Sequence, residues 1–320
     1  MGWRFEPGEG LREAFSRVAR EEIARVRGCL SAKGPDLETA VHEARQGFKR
    51  LRALVRLAKP QLGEDFAVEN RRWRDASRLL SGSRDTTVLL QTFDKIIAKC
   101  NGALAPGQSR RLRATIKSRA DRNGAADVDP HVQEVLALLD EADEAIVRLN
   151  WPDSPASLLK GLQKSQGRLR KAWKKARKTG EADALHSWRK SVKDQAAQLR
   201  LLRGVAPGKI RARRNEEKAA GELLGNEHDL WLLSEHLRSA PSYFKLAATR
   251  DLLLSEIGRE REGLREEAFR KGKGFSSDGA KSFAGTIASA WKKASSRKPK
   301  PPRGKGRNGA APGGSTSPGP

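Results

Sequence analysis

The chain has 320 residues and a formal net charge of +25 at pH 7, from 64 Lys and Arg against 39 Asp and Glu. So large an excess of positive charge predicts a polyanionic partner, for which nucleic acid, an anionic membrane surface and inorganic polyphosphate all qualify. Two cysteines are too few for a disulfide framework or a thiolate zinc cluster. We find neither a secretory signal nor 18 uninterrupted apolar residues, and we therefore expect a cytoplasmic protein that does not span a membrane.

The predicted elements are helices throughout. Apolar residues recur at helical spacing without sustained period-two alternation, so we predict an all-α fold. The first set of predicted helices comprises 9–30, 36–59 with its end at Pro60, 64–80, one that begins at Arg84-Asp85, 108–120 and 131–149. A polar loop from Asp121 to Pro130 separates the last two. The stretch Trp151-Pro152-Asp153-Ser154-Pro155 is the best candidate for a domain boundary.

The order of predicted helices restarts after this boundary. The second set comprises 156–178, 182–204, 209–224, 229–239, 242–270 and 280–294. Residues 295–320 are rich in Pro, Gly, Ser, Lys and Arg, and such a composition cannot build a core. We predict that this tail is disordered.

Two of the predicted helices carry the same pattern of cationic residues. In each, a histidine is followed at positions i+3, i+7 and i+14 by Arg, Lys and Arg, and these four positions share a helical sector about 60° wide. The apolar positions common to both copies centre about 120° away, as in a helix that packs on a core. The matching sets are His42, Arg45, Lys49 and Arg56 and, 144 residues later, His186, Arg189, Lys193 and Arg200. One such face is more often solvated surface, but its recurrence favours a binding site.

The same offset relates other parts of the chain. Leu79-Leu80 corresponds to Leu223-Leu224, and Arg84-Asp85 corresponds to His228-Asp229. The opening helix at 9–30 corresponds to 153–174. We therefore predict an internal repeat that forms two tandem helical bundles, related by a pseudo-two-fold axis.

A row of Arg and Lys side chains on rigid helices is suited to phosphate. The planar guanidinium group of Arg can meet two phosphate oxygens, while Lys supplies a compact charge. A neighbouring polyanion would favour the charged form of the histidine. A column that repeats about every turn suits a linear polyanion better than a compact nucleotide, because aromatic side chains for stacking are few.

The H-x-x-R-x-x-x-K signature at His42 and again at His186 resembles that of the CHAD family of histidine-bearing α-helical domains. The Leu-Leu…Arg-Asp segment near 79–85 and its partner at 223–229 are also similar to that family. The resemblance implies two pseudo-symmetric four-helix bundles, at 8–150 and 151–294, around a central basic cavity that binds inorganic polyphosphate. Some members are fused to an acidic, β-rich CYTH-type triphosphatase domain, and we find no such domain in this sequence.

The resemblance also implies which residues bind the polyphosphate. The implied ligands are His42, Arg45, Lys49, Arg52, Arg56, His186, Arg189, Lys190, Lys193 and Arg200. The two copies differ at three positions: Lys190 corresponds to Gln46, and Asp194 and Ala196 correspond to Arg50 and Arg52. We expect the second copy either to bind less tightly or to rely on Lys190.

Two acidic residues near the predicted helix starts have alternative roles. Asp85 and Asp229 are each expected to cap a helix or to lie in its first turn, and the alternative is that they orient a signature residue. His228-Asp229 taken with His186 is similar to the metal-binding His-Asp doublet of phosphohydrolases, but the first copy has Arg84 in place of His228. We expect no metal and no cofactor.

The sequence leaves three functional classes to compare. We favour a binding module over an enzyme, because no carboxylate pair, phosphate loop or catalytic triad emerges. The main alternative is non-specific binding of nucleic acid by a basic protein. A scaffold role at polyphosphate granules is a further expectation that the sequence does not separate from storage.

Overall fold

A computed structural model describes residues 2–6, 8–32, 37–80, 83–100, 102, 104–124, 128–204, 207–239 and 247–295. This part of the chain contains eleven α-helices and no strand, which confirms the all-α prediction. The helices are α1 (Leu11–Ser31), α2 (Leu37–Leu62), α3 (Asp65–Leu79), α4 (Ser83–Lys99), α5 (Pro106–Gly124), α6 (Val128–Arg148), α7 (Pro155–Thr179), α8 (Ala182–Leu201), α9 (Pro207–Arg238), α10 (Ala247–Ser277) and α11 (Ala280–Ser295). A 3-10 turn follows α8 at Leu202–Gly204. The predicted disordered tail lies outside the described residues from 296 onward.

The end of α2 differs from the prediction, because the helix continues through Pro60 to Leu62. A proline in a helix removes the backbone hydrogen bond to the residue four positions earlier. In the last turn this costs little, since the helix need not continue far. Gly63 then adopts a positive φ of 54°, a conformation that glycine tolerates best, and this residue ends the helix.

The prediction of two helices at 209–224 and 229–239 is wrong. The chain instead forms one continuous helix of 32 residues, α9. Gly221 and Gly225 lie inside it, where α9 packs closely against α8: a Cβ at Gly225 would lie 3.7 Å from Nε of Arg189. These glycines allow close packing and do not interrupt the helix. Asp229 is therefore interior to α9 and cannot cap a helix start, whereas Asp85 lies in the first turn of α4 as predicted.

The apolar residues form three cores. The first lies among α1, α2, α3 and α6 and is filled by Phe15, Phe48, Trp73, Leu139 and Trp151. The second lies among α7, α8, α9 and α10 and is filled by Leu169, Trp188, Leu224 and Phe275.

The third core joins elements from both sides of the predicted domain boundary. It packs α4 and α5 against the C-terminal part of α9 and the N-terminal part of α10. Its fully buried members are Phe93, Ile96, Ile116, Leu233, Leu237, Leu253 and Ile257. The first core also includes Leu158 and Phe283, which lie beyond the boundary. Apolar side chains from the two halves of the chain are thus buried against each other.

The helices that carry the signature lie in contact at the centre of the molecule. Gln198 of α8 donates a hydrogen bond from Nε2 to the backbone oxygen of Ala53 on α2, at 3.0 Å. Ser165 of α7 donates to Oε1 of the same glutamine at 2.6 Å. Gly161 lets α7 approach α2 closely, because a Cβ there would lie 1.9 Å from the backbone oxygen of Leu57. No described helix has the length and hydropathy that a membrane span requires.

Candidate anion-binding site

Helices α2 and α8 cross in opposite directions. Arg56 donates from Nη1 to Oδ2 of Asp194 at 2.5 Å, while Ala53, three residues earlier on α2, contacts Gln198, four residues later on α8. His42 lies about 16 Å from Ala53 toward the start of α2, at about 1.5 Å per residue. By the same measure His186 lies about 18 Å from Gln198 toward the start of α8, which is the opposite side of the crossing. The two cation columns therefore extend away from the crossing in opposite directions and do not face each other position by position.

The structure gives each implied ligand a clear degree of exposure. Exposed or half-buried side chains remain accessible to a ligand, and none of the ten is fully buried. The half-buried ones are His42, Arg45, Arg52, Arg56, His186 and Arg189, and the exposed ones are Lys49, Lys190, Lys193 and Arg200.

Cations of both helices converge at the crossing. Burial lowers the pKa of Arg52 on α2, and the charge of Arg56 lowers it further. Burial also lowers the pKa of Lys190 on α8, and the charges of Arg52 and Arg56 lower it further. Nearby positive charges disfavour the charged form of a basic group and so lower its pKa. Arg52, Arg56 and Lys190 therefore form one cluster, called the crossing cluster below.

Asp194 is the acid within this cluster. Its Oδ2 accepts the hydrogen bond from Arg56 and a longer one, at 3.4 Å, from Nη2 of Arg168 on α7. The Asp194 side chain is only 13% exposed. Arg168 was not among the predicted site residues, because its counterpart in the first copy is Ala24 and no cation recurs at this position.

A second group of residues lies at the N-terminal part of α8. The rings of His186 and of His228 on α9 stack with centroids 4.3 Å apart, and the ring of Trp231 stacks on His228 at 5.5 Å. Burial, together with Lys190 and Arg189, lowers the pKa of His186 to about 4. Burial, together with His186 and Arg189, lowers the pKa of His228 to about 3. Both histidines are therefore neutral at pH 7 in the absence of a ligand.

Two acidic residues of α9, Glu227 and Asp229, lie near Arg189 of α8. Burial lowers the pKa of Arg189, while the charges of Asp229 and Glu227 raise it. Glu227 in turn accepts hydrogen bonds from Nη2 of Arg261 and Nε of Arg265, at 2.8 and 3.0 Å. Asp229 thus lies close enough to a signature arginine to act on it electrostatically, and its role in orienting that arginine stays a prediction.

The metal-binding alternative is not supported by the side chains that the structure describes. His186 and His228 are in contact, and Asp229 is adjacent in sequence to His228. Nevertheless, no group of three or more His, Cys, Asp or Glu side chains in the described part of the chain is arranged to hold a metal ion. The stacked ring pair places the two histidines face to face and not around a common point.

On the other side of the crossing the cations are distributed differently. Arg50 is directed toward α1, where its Nε donates to Oε1 of Glu22 at 2.9 Å. Burial lowers the pKa of Arg200, and the charges of Arg203 and Arg50 lower it further. Arg200 therefore lies among like charges, whereas Arg56 has a carboxylate partner.

Comparisons with known proteins agree with this architecture. The sequence model of the CHAD domain matches residues 9–238. The crystal structure of the CHAD domain from the plant Ricinus communis superposes on the chain with a TM-score of 0.62 at 19% sequence identity, covering 87% of this chain and 95% of that chain. At this identity the structural likeness concerns the fold alone. The comparison with curated protein sequences gave no match.

Proposed function

The chain belongs to the CHAD family, and on that premise we propose that it binds inorganic polyphosphate at the crossing of α2 and α8. The observation that carries the proposal is the convergence of Arg52, Arg56 and Lys190 from two helices. Burial lowers the pKa values of Arg52 and Lys190, the charge of Arg56 lowers both further, and a bound polyanion opposes that repulsion. The reduction of this repulsion therefore contributes favourably to the free energy of polyphosphate binding.

The length of the two columns supports a linear ligand. From the crossing, one column continues along α2 to His42 and the other along α8 to His186, in opposite directions. The cations of each column are spaced so that a flexible chain with one charge per unit can reach several of them. A compact anion engages only the crossing, whereas a chain of phosphates engages the crossing and a column together.

We also propose that the chain is an internal repeat of two helical bundles, at 8–150 and 151–294. In its support, α7 begins 144 residues after α1, and α1 packs on α2 as α7 packs on α8. The continuous helix α9 spans the positions that correspond to α3 and to the part of α4 up to Asp94. The crossing itself supports the repeat, because Ala53 and Ala197 are 144 residues apart and Ala53 contacts the neighbour of Ala197.

We propose binding without catalysis. Arg52, Arg56 and Lys190 can hold an anion, and a guanidinium group cannot take up a proton to act as a base. The carboxylate of Asp194 already accepts hydrogen bonds from Arg56 and Arg168. Storage of polyphosphate, or attachment of the protein to polyphosphate granules, are roles that such binding would serve. Non-specific binding of nucleic acid is the alternative, because exposed arginines on α5, such as Arg110 and Arg111, offer a diffuse basic surface.

A charge-matched pair of double variants tests the site. Arg52→Gln/Lys190→Gln removes two charges at the crossing, and Arg110→Gln/Arg111→Gln removes two exposed charges on α5. Binding of labelled long-chain polyphosphate would be measured at about 150 mM salt, with double-stranded DNA as competitor, since diffuse attraction is screened there. We expect the crossing variant to lose at least about tenfold in affinity and the α5 variant to change by less than about twofold.

The same experiment decides against the proposal in two ways. If both variants weaken binding equally, the attraction is diffuse and the crossing is not a site. If DNA displaces polyphosphate at equal phosphate concentration, non-specific nucleic-acid binding is the better description of this basic protein.

A further inference from the structure

The crossing of α2 and α8 has two arms, one that contains Arg56 and one that contains Arg200, and the two arms differ chemically. With the offset of 144 residues, Arg56 corresponds to Arg200 and Asp194 corresponds to Arg50. On one arm Arg56 meets Asp194 at 2.5 Å. On the other arm burial lowers the pKa of Arg200, the charges of Arg203 and Arg50 lower it further, and the charge of Glu22, which pairs with Arg50, opposes them. Arg56 is thus bonded directly to a carboxylate, whereas the carboxylate near Arg200 is bonded to Arg50.

Asp194 occupies the place that an oxyanion would take. One of its oxygens accepts hydrogen bonds from Arg56 on α2 and from Arg168 on α7, so three helices meet at this carboxylate. Its charge also acts on Arg52 and Lys190, since it opposes the lowering of both pKa values. The side chains of Asp194 and Arg56 are 13% and 18% exposed, so their contact is made largely out of water, where charge-assisted hydrogen bonds are strong, whereas Arg168 is more exposed.

The contacts of Asp194 with Arg56 and Arg168 make the binding of any external anion to these arginines less favourable. A ligand that binds Arg56 and Arg168 must displace Asp194 from them and then lie beside its negative charge. A half-buried charge that loses its partners is destabilised. A single phosphate has no further contact with which to offset that loss, whereas a chain of phosphates also reaches Lys190 and the cations beyond it.

From this geometry we propose that Asp194 is an internal counter-anion that occupies the crossing cluster and makes it select linked phosphates over single ones. The inference rests on the proposed function, because it concerns the same cations. It assigns to Asp194 a role in specificity: the residue raises the number of contacts that a ligand must make before it binds. The alternative role is structural, in which Asp194 holds Arg56 in position for the ligand.

The test compares ligand lengths on three variants. Asp194→Asn removes the charge and keeps the shape, Asp194→Glu keeps the charge, and Asp140→Asn removes a matched carboxylate that pairs with Arg27 at 2.6 Å on the surface. Affinities for orthophosphate, tripolyphosphate and long-chain polyphosphate would be measured by calorimetry at one salt concentration. Circular dichroism and a thermal melt would establish that each variant is folded.

We expect Asp194→Asn to bind orthophosphate about tenfold more tightly than the unaltered chain does, and long-chain polyphosphate only about two- to threefold more tightly, because a long chain also binds cations beyond the crossing cluster; tripolyphosphate should lie between them. Preference for the long chain then falls, while Asp194→Glu and Asp140→Asn retain it. Weaker binding of every ligand by Asp194→Asn would identify Asp194 as a support for Arg56 and overturn the proposal. An equal gain at all lengths would also overturn it, because charge alone and not selection would then be at work.

The outcome for the unaltered chain separates this inference from the proposed function. If the unaltered chain binds long-chain polyphosphate and the preference does not change in Asp194→Asn, the function stands and the role of Asp194 fails. If the unaltered chain binds none of the three ligands while Asp194→Asn binds them, the carboxylate blocks binding and does not select among ligands, so the proposed function and this inference are both overturned. If neither binds, both proposals fail. Should Asp194→Asn not fold, the comparison of Asp194→Glu with Asp140→Asn decides, since unchanged preference in Asp194→Glu supports the role of charge and lost preference opposes it.

Discussion

His186 and His228 are two neighbouring residues of the candidate site whose protonation a bound polyanion can change. Their rings stack at 4.3 Å, and they are surrounded by Arg189, Lys190 and Lys193, with Asp183 as the opposing acid on α8. Burial and these cations lower both pKa values, so the ligand-free pair is neutral. A polyanion bound beside them, as proposed, would oppose the charge of these cations and favour protonation. The proposed binding is therefore expected to be coupled to proton uptake at this end of α8.

This coupling predicts a specific dependence on pH. The folded pKa values of about 4 and 3 lie below the ordinary value of 6.5, so the unfolded chain takes up protons first as the pH falls. The pair therefore contributes stability that is complete above about pH 6.5 and is lost as the pH falls toward 4. Added polyphosphate opposes the loss, and we expect it to raise the melting temperature by about 2–4 °C more at pH 5 than at pH 7.5.

A matched pair of variants isolates the histidines from the titrating carboxylates. His228→Gln should flatten the pH dependence of the melting temperature between about 6.5 and 4 and reduce the extra effect of polyphosphate. His131→Gln, at a half-buried position on α6 beside Glu134, serves as the matched control. If His228→Gln and the unaltered chain melt in parallel over this range, the stacked pair does not carry the coupling.

At the level of single helices, glycines decide how closely the elements around the site approach. Gly161 on α7 faces the backbone oxygen of Leu57 on α2, where a Cβ would lie 1.9 Å away. Gly225 on α9 faces Arg189, where a Cβ would lie 3.7 Å away, an ordinary van der Waals distance. The two positions look alike in the sequence, but only the first has no room for a side chain.

This contrast predicts opposite effects of the same substitution. Gly161→Ala should lower the free energy of unfolding by about 1–3 kcal/mol, because a backbone atom of α2 must move. Gly225→Ala should raise the free energy of unfolding by about 0.5–1 kcal/mol, because alanine loses less conformational entropy in a helix and fits here. Denaturant titration followed by circular dichroism measures both changes. Destabilisation of equal size in the two variants would mean that the α8–α9 contact is tighter than described.

Helix positions could be predicted from the sequence, but their interruptions could not. Apolar spacing locates a helix to within a few residues, because it reflects which face is buried. Whether Gly225 breaks α9 depends on a neighbouring helix that local sequence does not reveal. In the same way Pro60 looks like a helix end, although the chain leaves α2 only at Gly63, where φ is positive.

The sequence predicts which cations belong to the proposed site but not how they are arranged. Recurrence at an offset of 144 residues selects Arg56 and Lys193 as members of two matching columns. The antiparallel crossing at Ala53 and Gln198, which decides which cations meet, follows from tertiary packing. Recurrence also passes over Arg168, since that residue has no cationic counterpart.

For the molecule as a whole, the third core links the two halves that the sequence pattern separates. In the first half, α4 and α5 place Phe93, Ile96 and Ile116 against α9 and α10 of the second half. A half in isolation therefore exposes these apolar side chains to water, at a cost of about 1.5–3 kcal/mol for each large one.

This shared burial predicts that neither half is stable alone. Fragments 1–150 and 151–295, expressed separately, should lack a cooperative thermal transition or should associate with themselves. Mixing them should restore a one-to-one complex with a cooperative transition, as seen by analytical ultracentrifugation and circular dichroism. A monomeric 1–150 fragment that melts cooperatively would contradict the prediction and would favour two independent bundles.

The uninterrupted course of α9 has a consequence for how motion spreads through the protein. Its 32 residues pack against α8 near Gly221 and Gly225 and reach the third core through Leu230, Leu233 and Leu237. The amide protons in its middle exchange with solvent only when both cores open together. Their exchange rates therefore report the global unfolding free energy, even where the ends of the molecule fray. A ligand held beside α8 should then slow exchange in α4 and α5, which it does not touch.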